Sequence, residues 1–172
     1  MTDKSALNFN SLVKLDLFKD SKDIINNYSQ IKNEIVESDK YESNIRKVLN
    51  LGHTIGHAVE SYSHISEKIT DLKHGEAIVI GIITELYISH KKLNFPIKDL
   101  LGIKEHLSKY FGQISFSESD IDQVYDLMIY DKKNSRNKIN FVLLKEIGDP
   151  IVDQSVSSDI FRESFHFYND LL

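Results

Sequence analysis

Residues 46–60 read RKVLNLGHTIGHAVE, and this stretch decides the fold. It sets Arg46, Leu49, Asn50, His53 and His57 at steps of three and four. Residues so spaced share one face of a helix, so the pattern predicts a helix over about 42–63. A cation, an amide and two imidazoles would then project together, each with a donor or a lone pair to offer. On an ordinary core face each would need its own buried partner, so the stretch reads as a site. Gly52 and Gly56 alternate with the histidines. Each costs a helix about 1 kcal/mol relative to Ala, which predicts close approach of backbone or ligand there.

Downstream, Lys73-His74-Gly75-Glu76-Ala77 opens a run from about Glu76 to Leu93 that is apolar nearly all round at its start. Such a run predicts a central buried helix. Asn94-Phe95-Pro96 ends it, because proline disfavours helix at the residue before it, and the polar stretch Ser63–Asp71 separates it from the helix upstream. On the N-terminal side, Ile24, Ile25, Tyr28, Ile31 and Ile35 predict a helix over 22–37 that carries Lys32. Further helices are expected over 97–111 and 118–130, the latter capped by Ser117 or Ser119. KINFVLLK at Lys138–Lys145 predicts a strand, paired with Ile151–Val152 around Gly148-Asp149-Pro150. A last helix is expected over 157–170. The fold class is mainly α: one helical bundle, residues 1–172, with a small β-hairpin near the C-terminus.

Composition narrows the function classes. A chain of 172 residues with 41% hydrophobic and 27% charged residues is globular. Its formal charge of −5 gives no general attraction to nucleic acid or to an anionic membrane, so neither is expected as a partner. Any anionic substrate must meet a local cluster of cations. The absence of cysteine rules out disulfides, thiolate metal sites and cysteine nucleophiles. MTDKSALNFN lacks the apolar run of a signal peptide, and Ala77–Ile83 is too short to span a bilayer. A cytoplasmic location is expected. No GxGxxG or Walker loop occurs, so the main site for a dinucleotide is not expected on this chain.

His53 and His74, from adjacent helices, can give two nitrogens to one divalent metal. A third ligand is not evident; Glu60 and Glu76 are allowed by spacing. A zincin would need Glu after the first histidine, where Thr54 stands. Ordinary readings stand beside these. His64, His90, His106 and His166 lack such company and read as solvent-facing. Lys32 alone would be a solvated helix residue, and Asp131-Lys132-Lys133-Asn134 alone a charged loop.

Taken in order, IKNEIVESDKYESNIR, RKVLNLGHTIGHAVE, KHGEAIVIGI and DKKNSRNKINFVLLKEIG resemble the C-terminal domain of the 3-dehydroquinate synthases. The resemblance implies an enzyme of the shikimate pathway, which leads to chorismate and the aromatic amino acids. It is a phosphate-eliminating lyase that cyclises a seven-carbon 3-deoxy sugar acid phosphate, with zinc (or cobalt) and NAD as cofactors. His53 and His74 then look like the two histidine ligands of the metal. Lys32, Arg46, Asn50 and His57 look like residues that hold the substrate's carboxylate, hydroxyls and phosphate, and Leu49 like a position whose backbone lines the pocket. Lys133, or its neighbour Lys132, looks like a late lysine that reaches the same pocket.

In the family an N-terminal α/β domain binds NAD and supplies a glutamate as third metal ligand; nothing in this sequence resembles it. The chain therefore reads as a separate C-terminal domain or a truncated frame that needs an NAD-binding domain or chain as partner. Alone it is expected to be inactive and to bind zinc weakly or not at all. The surface left by that domain is expected to be partly apolar and to favour a homo-oligomer. Other readings are a related sugar-phosphate cyclase, a metal-dependent alcohol or glycerol dehydrogenase domain, and a non-catalytic helical interaction module.

Overall fold

The computed structural model describes residues 21–135 and 139–170, except for the side chains of 21–24 and 131–135. The chain forms two compact units that divide between Leu49 and Asn50.

The first unit contains α1 (Ser21–Ser38). After it, Asp39 organises the turn into a short 3-10 helix (Ile45–Asn50). The buried Asp39 carboxylate accepts hydrogen bonds from the backbone N–H groups of Ser43 (3.0 Å), Asn44 (2.7 Å) and Arg46 (3.1 Å). Burial alone would raise its pKa, but the bonds from Asn44, Arg46 and Ser43 hold it at about 2. Arg46 Nη1 donates to the Lys40 carbonyl at 3.1 Å, and Glu42 lies 3.9 Å from Arg46 Nε.

The second unit runs α2 (His53–Ile65), α3 (His74–Leu93), α4 (Ile97–Phe111), α5 (Glu118–Ser135), β1 (Phe141–Glu146), β2 (Asp149–Gln154) and α6 (Ser158–Asn169). The apolar run of α3 makes it the axis: it packs against α2, α4, β1 and α6, while α2 also packs on α5. The core joins Ile55, Val59 and Tyr62 of α2 to Ile80 and Ile83 of α3, with Ile121 and Val124 of α5 and Phe161 and Phe165 of α6. β1 and β2 pair antiparallel, Leu143 opposite Ile151, around a turn that holds Gly148 at φ +92°. Ser89 Oγ accepts from the Leu144 N–H at 3.0 Å, which fastens the hairpin to α3. The helical bundle with a C-terminal hairpin is thus the fold expected from the sequence.

The helix expected over 42–63 is two pieces. The 3-10 turn ends at Asn50, Gly52 takes the left-handed conformation at φ +79°, and the α-helix begins at His53. A three-four pattern records side-chain period, but the backbone here is set by what lies against it. A Cβ on Gly81 would stand 1.9 Å from the Gly52 carbonyl oxygen and 2.8 Å from the Gly56 nitrogen. One on Gly56 would stand 2.7 Å from Ile78 Cδ1. Gly81 therefore marks backbone-to-backbone contact between α2 and α3, and Gly56 close packing against Ile78. The helix end before Pro96 is as expected, with Asn94 left-handed at φ +60°. His64 and His166 are exposed, but His90 and His106 are half-buried; His90 Nδ1 lies 2.7 Å from the Phe95 carbonyl oxygen, so it serves the end of α3.

Ser117 caps α5 through Asp120, which accepts from Ser117 N–H (2.8 Å), Ser117 Oγ (2.6 Å) and Tyr62 Oη (2.5 Å). Asp120 is only 3% exposed. Burial alone would raise its pKa, but the Ser117 and Tyr62 bonds, with Lys68 nearby, hold it at about 2, below its ordinary 3.8. A carboxyl depressed on folding stabilises the protein above its unfolded pKa and loses that contribution as pH falls through the folded one. Asp120→Asn is expected to cost roughly 2 kcal/mol at pH 7. Urea unfolding at pH 7 and at pH 2 checks it: the gap between variant and parent should shrink at the lower pH, and an equal gap at both would refute it.

Candidate metal centre

His53 is the first residue of α2, His57 lies one turn further along the same face, and His74 is the first residue of α3. The close antiparallel contact of α2 with α3 at Gly52, Gly56 and Gly81 lets the three rings meet. The ring centroids lie 5.3 Å (His53–His57), 5.8 Å (His53–His74) and 5.5 Å (His57–His74) apart. One nitrogen from each ring falls within 4.8 Å of the others. His53 is half-buried; His57 and His74 are exposed.

Hydrogen bonds orient two of these rings. His53 Nδ1 lies 3.1 Å from the Leu51 carbonyl oxygen, which can only accept, so in the neutral ring Nδ1 carries the proton and Nε2 keeps a lone pair. His74 Nδ1 lies 3.0 Å from Glu60 Oε2, with the same consequence. An imidazole whose far nitrogen donates to a carbonyl or carboxylate is what a metal-ligating histidine requires. The donor set fits a divalent ion that prefers nitrogen.

Of the acids that spacing allowed, Glu60 stands behind His74, and Glu76 accepts from the Lys73 N–H at 2.8 Å, capping α3. The third nitrogen in reach comes from His57, which the sequence reading had set among the substrate residues. Lys32 is exposed on α1, and Arg46 and Leu49 are half-buried in the first unit. Asn50 is half-buried at the start of the second. The side chains of Lys132 and Lys133, near the end of α5, lie outside the described residues. A cavity of about 320 Å³, bordered by Leu72, Lys73, Glu76, Phe111 and Tyr168 among others, includes none of the three histidines in its lining.

The sequence reading missed Glu85. Its side chain is fully buried, and its carboxyl oxygens accept from the N–H groups of Gly52 (2.6 Å) and Ile55 (3.3 Å). These are among the donors that the first turn of a helix leaves unpaired. Burial pushes its pKa up to about 8, against the downward pull of the Gly52, Ile55 and Thr54 N–H groups. The signal was one acid inside AIVIGIITEL, four residues beyond Gly81.

A family model described as "3-dehydroquinate synthase C-terminal" matches residues 2–134. The chain belongs to the 3-dehydroquinate synthase family. A 3-dehydroquinate synthase of Parabacteroides distasonis is 44% identical over 81% of this chain and 39% of its own length. One of Staphylococcus carnosus is 36% identical over 95% of the chain and 41% of its own length, so that match reaches past the family model. The chain thus spans about two fifths of the curated dehydroquinate synthases it matches. Among solved structures it is similar to a 2-deoxy-scyllo-inosose synthase complexed with carbaglucose-6-phosphate, NAD+ and Co2+, with TM-score 0.58 and 26% identity over 74% of this chain and 35% of that one. Another structure of a 2-deoxy-scyllo-inosose synthase, 24% identical with TM-score 0.66, covers 87% of this chain and 40% of its own and supports the fold. Among the described residues, no helix is long and apolar enough to cross a membrane.

Proposed function

We propose that this chain is the metal- and substrate-binding part of a 3-dehydroquinate synthase, a phosphate-eliminating lyase of the shikimate pathway acting in the cytoplasm. The observation that carries this reading is the meeting of the His53, His57 and His74 side chains between α2 and α3, with Nε2 of His53 and of His74 left to coordinate. His53 and His74 hold the divalent ion, zinc or cobalt, and an NAD-binding domain or partner chain completes the site. When bound, the metal supplies a Lewis acid for a substrate oxygen and NAD a hydride acceptor and donor.

The chain's own residues bind and orient. The sugar acid phosphate carries at least two negative charges, while the chain's formal charge is −5. Lys32, Arg46 and Lys133 offset that mismatch at the carboxylate and phosphate. Asn50 hydrogen-bonds substrate hydroxyls, and the Leu49 backbone lines the pocket. His57, exposed beside the metal ligands, hydrogen-bonds substrate or moves a proton at its ring nitrogen.

Reconstitution tests this. The chain is mixed with a separately produced NAD-binding domain of a relative, zinc, NAD and the seven-carbon acid phosphate, and phosphate release is followed. Release that needs both halves is expected. A well-formed complex that releases none would leave the non-catalytic module, and release from a six-carbon aldose phosphate in preference would favour a related cyclase.

A further inference from the structure

Resting on the metal reading above, we infer that Glu85 is a positioning residue for the metal centre: it locks the backbone turn that presents His53 and ties it to the helix that presents His74. The two N–H groups it accepts, from Gly52 and Ile55, bracket His53 in sequence. Gly52 is the left-handed residue before the helix, so the 2.6 Å bond holds the one conformation in which α2 can begin at His53. The bond between His53 Nδ1 and the Leu51 carbonyl depends on that same turn, and it fixes which ring nitrogen stays free.

Glu85 lies on α3, eleven residues beyond His74, or roughly 16 Å along the helix axis. The helix that begins with one histidine therefore reaches back to hold the turn of the other. A buried carboxyl group is an expensive way to cap a helix, since its desolvation must be offset by its hydrogen bonds. Ser and Asp caps elsewhere in this chain do that work locally: Ser157 accepts from the Ile160 N–H at the start of α6. A cap drawn from a second helix adds what a local one does not, a fixed relation between the two helix starts.

The test uses Glu85→Gln, which keeps size but turns one acceptor into a donor facing an N–H. Lys104→Met is the control. Lys104 is 1% exposed and donates to the carbonyls of Phe167 (2.5 Å) and Asp170 (2.7 Å), so its loss weakens the same unit away from α2. Long-range proton–nitrogen NMR of the imidazoles reads the His53 tautomer, Co2+ titration of the complex with an NAD-binding domain, by visible absorption, reads affinity, and circular dichroism reads thermal unfolding of the chain. Glu85→Gln should lose the single Nδ1-protonated form of His53 and weaken Co2+ binding roughly tenfold to a hundredfold, while Lys104→Met lowers Tm without either change. If Glu85→Gln does not fold, Glu85→Asp, one methylene shorter, is read by the same criteria. An unchanged His53 signal in the Glu85 variant overturns the inference, as does an equal change in Lys104→Met at matched loss of Tm. A parent that does not bind Co2+ even in complex with an NAD-binding domain would refute the metal reading, and the His53 signal would still decide the role of Glu85.

Discussion

Gly81→Ala is expected to destabilise the protein by about 3 kcal/mol or more and to abolish divalent-metal binding under conditions where the parent binds. The added Cβ would lie 1.9 Å from the Gly52 carbonyl oxygen, 2.9 Å from its carbonyl carbon and 2.8 Å from the Gly56 nitrogen. All three obstacles are backbone, so no rotamer change can relieve the clash, and α2 or α3 must shift as a body. Because α2 starts with His53 and α3 with His74, such a shift separates the ligands. Gly75→Ala provides the contrast within the same helix, since a Cβ there meets nothing within 4 Å. Its stability should match or slightly exceed the parent's, because alanine is the better helix former. Urea unfolding of both variants, with metal titration, checks the pair. A Gly81→Ala protein as stable as Gly75→Ala would show that the two backbones do not touch.

The second large effect lies at the ligands. His53→Ala and His74→Ala are each expected to weaken metal binding about a thousandfold, a loss of roughly 4 kcal/mol out of the 10–16 typical of a full structural zinc site. Glu60→Gln should cost less, about tenfold to a hundredfold, because it leaves the ligand in place and removes only the carboxylate that holds His74 Nδ1. His57→Ala separates the two roles open to that ring. On the assignment made here it keeps metal affinity within about tenfold of the parent and lowers phosphate release in the reconstituted complex by about 100-fold or more. A thousandfold loss of metal affinity in His57→Ala would instead make it a ligand. Calorimetric titration of the reconstituted complex with Zn2+ reads the first quantity and the coupled phosphate assay the second.

Much of this was open to reading from residue order. The central place of α3 followed from an apolar run that no surface helix could carry, and the hairpin from KINFVLLK and the turn at Gly148. The pairing of His53 with His57 is a local matter of helical period. Their meeting with His74 is not local, because it depends on how two helices cross, and the partner that sets the crossing, Gly81, looked like any glycine in an apolar helix. The helix drawn through 42–63 failed for a related reason: periodicity describes side chains, while the break at Gly52 is a property of backbone under contact. Glu85 and Asp39 escaped notice because a carboxylate serving distant or irregularly spaced N–H groups has no fixed spacing to betray it.

The contact of Gly52 and Gly56 with Gly81 has a bearing on how such chains can diverge. Where two side chains meet, a larger one on one helix can be answered by a smaller one on the other, so drift has a path through paired exchange. At Gly81 the atoms that meet it are the backbone of Gly52 and Gly56, and no answering exchange of side chains exists there. Descendants that abandon the chemistry and replace the histidines should still carry these three glycines, so that the crossing outlives the site it was built to hold.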